Sequence, residues 1–230
     1  MYKRQGPSII AYADTMIQGK VEINPEVDGM IWVKEVKNPS SYGVVNLDKE
    51  LNIIELIEKP KNFISNLAVV GIYYFKDISL IRDELRIHLQ DKLLPGKEYL
   101  LNHGIKKMIE KKKIFKAQEI DTWMDCGTPK LLIESAKIIM KTNEGLSNEN
   151  NFSRQGNVKI NHPVFIGENV IVNNSTIGPY VSVGDNCIIS DSIVDSTLIY
   201  NDVKVSNATL QNSILGSNTI YDGSNKEIFL

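Results

Sequence analysis

The chain is poor in cysteine, histidine and concentrated positive charge, and each shortage removes a class of function. Its two cysteines, Cys126 and Cys187, stand far apart and form no CxxC pair. A disulfide framework is therefore not expected, and reduced thiols suit a cytoplasmic protein. Of the three histidines, His88 and His162 lack metal-ligand spacing, so zinc is not expected, and His103 reads as an exposed or capping residue. The net charge is −2 and the one basic run is Lys111-Lys112-Lys113, which decorates a helix end rather than forming a nucleic-acid surface. No apolar run is long enough to cross a bilayer, and Met1–Gln5 is not followed by the apolar core of a signal peptide. What remains is an ordinary globular composition, 42% hydrophobic and 23% charged over 230 residues, enough for one large domain or two modest ones.

Up to about Thr142 the chain alternates strand-like and helix-like stretches, the rhythm of an α/β architecture. Ser8–Ala13, Met30–Val36, Tyr42–Leu47, Ile53–Ile57 and Ala68–Phe75 read as strands. Shorter ones are expected at Ile114–Gln118 and Thr122–Met124. Ile78–Leu94 reads as a helix with Ile81, Leu85, Leu89 and Leu93 on one face and Asp77 as N-cap. Further helices are predicted over Leu101–Lys112 and over Pro129–Lys141, the latter with Thr128 as cap. The polar stretch 143–157 reads as a linker between a first domain at 1–142 and a second at 158–230.

In that second domain the period changes. Ile160, Ile166, Val172, Ile177, Val183, Ile189, Val194, Ile199, Val205, Leu210, Leu215 and Ile220 recur at intervals of five or six residues. A helix needs threes and fours, and a half-buried meander alternates strictly. A repeat near six marks a parallel β-helix of about four coils, each side adding one aliphatic residue to a stacked interior. The shortening from six to five after Ile189 predicts less regular final coils.

Two carboxylates stand at strand ends: Asp14 closes the run Ser8–Ala13, and Asp125 closes Thr122–Met124. Ligands of open α/β sheets sit outside the carboxyl ends of strands, and two acids placed there can share Mg²⁺ together with substrate phosphates. Taken singly, each could equally cap a turn. Glu58-Lys59-Pro60 offers an acceptor for hydroxyls beside a point charge for a phosphate, and Pro60 biases Lys59 toward an extended backbone.

Taken in order, Tyr42-Gly43-Val44-Val45, Glu58-Lys59-Pro60, Ser65 to Tyr73 and Trp123-Met124-Asp125-Cys126-Gly127-Thr128 resemble the sugar-1-phosphate nucleotidyltransferases. The stretch Met30–Val36 followed by Asn38-Pro39 is most similar to the long glucose-1-phosphate thymidylyltransferase-like branch, whose members carry a hexapeptide-repeat tail. The resemblance implies a partial Rossmann-like nucleotidyltransferase sheet followed by a left-handed β-helix. It implies that Asp14 and Asp125 bind Mg²⁺, that Lys59 anchors the attacking phosphate, and that Gly43, Glu58, Val69 and Glu98 line the sugar pocket. Departures are Ala13 where the family usually has glycine, and Asn102-His103 where it usually has a Thr-Asp pair. The implied substrates are a nucleoside triphosphate, dTTP by the branch, and glucose-1-phosphate, with self-association through the β-helix.

The family opens with a glycine-rich loop bearing Arg and Lys, and no such loop occurs in this sequence. At ~30 residues per βαβ unit, a front segment on the order of 90 residues is expected to be missing, leaving a fragment inactive alone. The alternative is a non-catalytic regulatory or binding subunit with a degenerate transferase fold. A hexapeptide acyltransferase is disfavoured because no histidine follows His162 in the repeats.

Overall fold

A computed structural model describes residues 6–90, 99–142 and 152–224. The chain divides into two compact units, Met1–Asp125 and Cys126–Leu230.

The first unit is a mixed sheet built from β1 (Ser8–Ala11), β3 (Gly29–Glu35), β4 (Gly43–Leu47), β5 (Ile53–Glu58), β6 (Leu67–Phe75) and β7 (Phe115–Glu119), with a separate ribbon of β2 (Thr15–Gln18) and β8 (Thr122–Asp125). The strand order is β5-β4-β6-β3-β7, and β1 pairs antiparallel with the second half of β6. Only β3 and β7 run parallel; the other pairings are antiparallel. The near-continuous apolar run of β6 follows from burial on both faces. Val69, Tyr73 and Phe75 join a core with Ile31, Val33, Ile105 and Phe115, whereas Val70 and Tyr74 join Met30, Trp32 and Ile120. Strand alternation on β3 likewise sends Ile31 and Val33 one way and Met30 and Trp32 the other.

Helices α1 (Ile78–His88) and α2 (Leu101–Glu110) share the first of these cores. Asp77 caps α1 as its sequence suggests, its carboxylate accepting from Ser79 N at 2.8 Å. Gly104 lets the helices approach, since a Cβ there would stand 2.6 Å from Ile81 Cδ1. The predicted helix to Leu94 is shorter, and Leu89 is exposed rather than on the buried face; positions beyond Gln90 fall outside the described residues. Ribbon strand β2 was absent from the sequence reading, which ran Ser8–Ala13 as one strand. A turn at Ala13 and Asp14 interrupts it, because β2 pairs with β8 and not with the main sheet.

The second unit begins with α3 (Pro129–Thr142), where Leu131 N lies 3.3 Å from Thr128 Oγ1. A parallel β-helix follows, its three faces being sheets of five, four and four strands. Its first strand, β9 (Phe152–Gln155), lies within the stretch read as linker; the rest of that stretch up to 151 is outside the described residues. The aliphatic repeat forms three stacked columns: Ile160-Ile177-Val194-Leu210, Ile166-Val183-Ile199-Leu215 and Val172-Ile189-Val205-Tyr221. Ile220 is corrected to an outward position at 78% exposure, and Tyr221 takes the inward place.

Coils are 17 residues apart at Glu168–Asp185 and 16 at Asp185–Asn201, so the drift from six to five is a corner shortened by one residue, not a loss of register. Asn and Asp occupy corners with positive φ, a conformation they tolerate better than other side-chain-bearing residues. They also form ladders: Asn169 Nδ2 donates to Asn186 Oδ1 at 3.2 Å, and Asn186 Nδ2 to Asp202 Oδ1 at 3.1 Å.

Candidate active site

The hairpin β4–β5 aligns two of the sequence motifs. Its turn is held by Asp48, whose carboxylate accepts from Glu50 N at 2.9 Å and Asn52 N at 2.8 Å. The resulting register places Gly43 opposite Glu58, so the Tyr-Gly and Glu-Lys-Pro steps meet across one strand pair. Val44 pairs with Ala68, which brings Val69 into the same neighbourhood. Gly43 is buried, and a Cβ on it would stand 2.8 Å from Asn102 Nδ2, 3.0 Å from Glu58 Oε2 and 3.8 Å from Val69 Cγ2. A side chain there would have to displace the ends of Asn102 and Glu58.

Lys59 follows Glu58 but does not adopt the extended backbone expected before Pro60. Its φ is +44°, in the left-handed region, where its N–H donates to Tyr42 O at 3.0 Å. That hydrogen bond continues the hairpin one residue past β5 and accompanies the less favoured conformation. The Lys59 side chain is exposed.

The ribbon sets the backbones of the two acids side by side. Thr15 is the register partner of Asp125, so Asp14 and Asp125 lie on neighbouring positions of adjacent backbones. The Thr15 hydroxyl ties this ribbon to β6 by donating to Val70 O at 2.9 Å. Asp14 is exposed and Asp125 is half-buried. The Tyr42 ring packs edge-on against Trp123 with centroids 4.9 Å apart, and its hydroxyl is hydrogen-bonded to Asp125. Burial first, then the Asp125 charge and that hydrogen bond, raise the Tyr42 phenol above its ordinary value. Tyr42 meets Asp125 and the adjacent Gly43 lies opposite Glu58, so consecutive residues link Asp125 to Glu58.

Side chains the sequence reading did not assign complete this wall. The Tyr73 hydroxyl donates to Asn102 Oδ1 at 3.2 Å, and Asn102 Nδ2 donates to Glu58 Oε2 at 2.8 Å. Tyr12 packs on Tyr73 at 5.6 Å between centroids, and Gly71 at φ +86° makes room for Tyr12. Burial, followed by Tyr12 and the Glu58 charge, pushes the Tyr73 phenol far upward, so it stays a neutral hydroxyl. Tyr73 lay in plain view inside a quoted motif, but its strand position said only that it was core. Glu98, the remaining pocket candidate, lies outside the described residues. His103 is exposed, and its Nδ1 is 3.0 Å from His88 Nε2.

Two carboxylates suit Mg²⁺, which takes one or two protein acids and fills its shell with phosphate and water. Among the described residues no three His, Cys, Asp or Glu side chains converge as a metal cage. Also among the described residues, no helix is long and apolar enough to cross a membrane.

Comparison with known proteins points the same way. The nucleotidyl transferase family model matches residues 9–142. Glucose-1-phosphate thymidylyltransferase of Streptomyces antibioticus is 26% identical over 82% of this chain and 56% of its own length. Bifunctional protein GlmU of Methanococcus aeolicus is 34% identical over 67% of this chain and 33% of its own. Probable mannose-1-phosphate guanylyltransferase 3 of rice, Oryza sativa subsp. japonica, is 26% identical over 82% of this chain and 50% of its own. The chain thus spans a third to just over half of these relatives. Among solved structures, the nucleoside-diphosphate-sugar pyrophosphorylase from Vibrio cholerae RC9 superposes with a TM-score of 0.51 at 19% identity, covering 58% of this chain and 57% of that one, a likeness of fold.

Proposed function

Because the chain belongs to the nucleotidyl transferase family, we propose that it carries the sugar-phosphate side of a nucleotidyl transfer from dTTP to glucose-1-phosphate, yielding a nucleotide-sugar and pyrophosphate. The observation that carries this reading is the junction at Tyr42-Gly43, which connects Asp125 to the pocket of Glu58 and Asn102. Glu58 accepts from sugar hydroxyls, Gly43 and Val69 offer close backbone contacts, and Lys59 anchors the phosphate whose oxygen attacks the α-phosphorus. Glu98 is a further candidate for the same pocket. Asp14 and Asp125 are the residues that would hold Mg²⁺, and a bound Mg²⁺ supplies charge neutralisation on the triphosphate. The protein's share is alignment of the nucleophile and electrostatic compensation, the general demands of phosphoryl-type transfer.

Thymidine is favoured by the wording of Met30–Pro39, since thymidylyl- and guanylyltransferase relatives cover this chain equally. Residues 1–142 carry the transferase part, and the β-helix, which begins with Phe152–Gln155 ahead of the expected 158–230, is the part through which copies of a cytoplasmic protein associate. On this proposal these 230 residues by themselves release no pyrophosphate, since they hold no glycine-rich loop with Arg and Lys. The second reading is a non-catalytic subunit with a degenerate transferase fold.

Titrating ¹⁵N-labelled chain with glucose-1-phosphate tests the pocket. Amide shifts should concentrate at Gly43, Glu58, Lys59 and Val69; shifts elsewhere, or none, reject it. Pyrophosphate release from dTTP and glucose-1-phosphate by the chain alone would contradict the assignment of half a site. Release by a longer parent chain would eliminate the subunit reading.

A further inference from the structure

The Glu58 carboxylate does not reach its place unaided. Its Oε2 accepts from Asn102 Nδ2 at 2.8 Å, while Asn102 Oδ1 accepts from the buried Tyr73 hydroxyl at 3.2 Å. Tyr73 is 1% exposed and its phenol is held neutral, so it presents a donor at Oδ1 throughout the physiological range. The amide is therefore oriented from both ends: its oxygen meets a hydroxyl and its nitrogen a carboxylate. Reversing it would set an oxygen against a carboxylate oxygen. Both Asn102 Nδ2 and Glu58 Oε2 crowd the space above Gly43, which fixes where the pair sits relative to the β4 backbone.

We propose that Asn102 is the positioning residue of this pocket. It holds one oxygen of Glu58 and leaves the other, Oε1, to accept from a sugar hydroxyl. The proposal rests on the reading of the pocket as a sugar-phosphate site. Asn102 is suited to the task because it donates without adding charge. An aspartate there would put two carboxylates within hydrogen-bond distance, and such a pair ionises fully only at raised pH. An alanine would leave Glu58 free to rotate.

The experiment compares the full chain with its N102A, N102D and Y73F variants, using glucose-1-phosphate as probe between pH 5 and pH 8. Amide exchange of α2 verifies that each variant is folded. N102A is expected to weaken binding about 10-fold at all pH values, the size of one hydrogen bond to a charged group. N102D is expected to weaken it roughly 100-fold at pH 8 and to recover part of that loss at pH 5, where the acid pair holds a proton. Y73F, which leaves the bond to Glu58 in place, should lose less than N102A.

A ligand-free readout runs in parallel: ¹³C-carboxylate NMR of Glu58. In N102D its titration should split into two coupled steps with one moved upward. Unchanged binding in N102A and N102D, or a Glu58 titration in N102D identical to wild type, overturns the proposal. If wild type itself does not bind glucose-1-phosphate, the sugar-pocket reading falls, and the Glu58 titration alone decides whether Asn102 governs that carboxylate.

Discussion

The two units bury similar aliphatic residues by opposite means. In the β-helix every strand pairs with the equivalent strand one coil away, at 16 to 18 residues, and a single continuous core results. In the sheet unit the decisive pairings reach much further: Thr15 pairs with Asp125 and Gly29 with Phe115. The first unit also carries less even cover. Ile9, Tyr12, Met16, Val21 and Ile23, all large apolar residues close together in sequence, are exposed, and the buried indole N–H groups of Trp32 and Trp123 have no hydrogen-bond acceptor among the described residues. Each such unmatched donor costs about 1–3 kcal/mol. Repetition gives an even, self-sufficient core, whereas a site assembled from distant segments leaves local debts in packing and hydrogen bonding.

The sharpest way to break this comparison is Ile189→Asp. Ile189 is fully buried in a stacked column, and an unpaired charge there should destabilise the β-helix by roughly 4 kcal/mol or more. Hydrogen exchange should show the β-helix amides losing protection while those of β3 and β6 keep theirs; simultaneous loss in both would mean one cooperative body. Gly29→Ala probes the other unit. Its new Cβ would lie 2.2 Å from Phe115 Cε1, and the strain of overpacking should lower stability by about 1–3 kcal/mol in denaturant titration. A smaller change tests the corners. Asn186→Ala loses two ladder contacts and places alanine at φ +58°, for about 1–2 kcal/mol, and Asn186→Gly should recover the backbone share of that loss.

The smallest expected effect depends on pH. The Ser79 hydrogen bonds hold the Asp77 carboxyl below its ordinary value. Its folded pKa is depressed, so its contribution is fully present above the unfolded value and is lost as pH falls through the folded one. Exchange of the first-turn amides of α1 should therefore quicken only under acid conditions, and Asp77→Ala should abolish that dependence.

Legibility follows the same division. The β-helix columns were readable because each inward residue repeats within one side, and only Ile220 slipped, since the last strand starts one residue later than the spacing implied. The strands of the sheet unit were readable from β-branched and aromatic runs, and α1 from its cap. The ribbon β2 was not, because Thr15–Gln18 acquires its identity solely by pairing with a segment far along the chain. In the candidate site, Gly43 and Glu58 could be named from motifs, but their meeting depends on hairpin register. Asn102 was visible only as a departure from a family pattern. Its bonds to Glu58 and Tyr73 arise when α2 docks beside the end of β5, which no local pattern encodes.

The most direct test of the account is paramagnetic. Mn²⁺, standing in for Mg²⁺, should be added to labelled chain in the presence of glucose-1-phosphate. The account predicts that amide signals of Asp14 and Thr15 broaden together with those of Met124, Asp125 and Cys126, and that Asp125→Asn weakens the effect at least 10-fold (about 1.4 kcal/mol). Broadening at only one of these two segments, or centred instead on His88 and His103, would contradict a shared cation site.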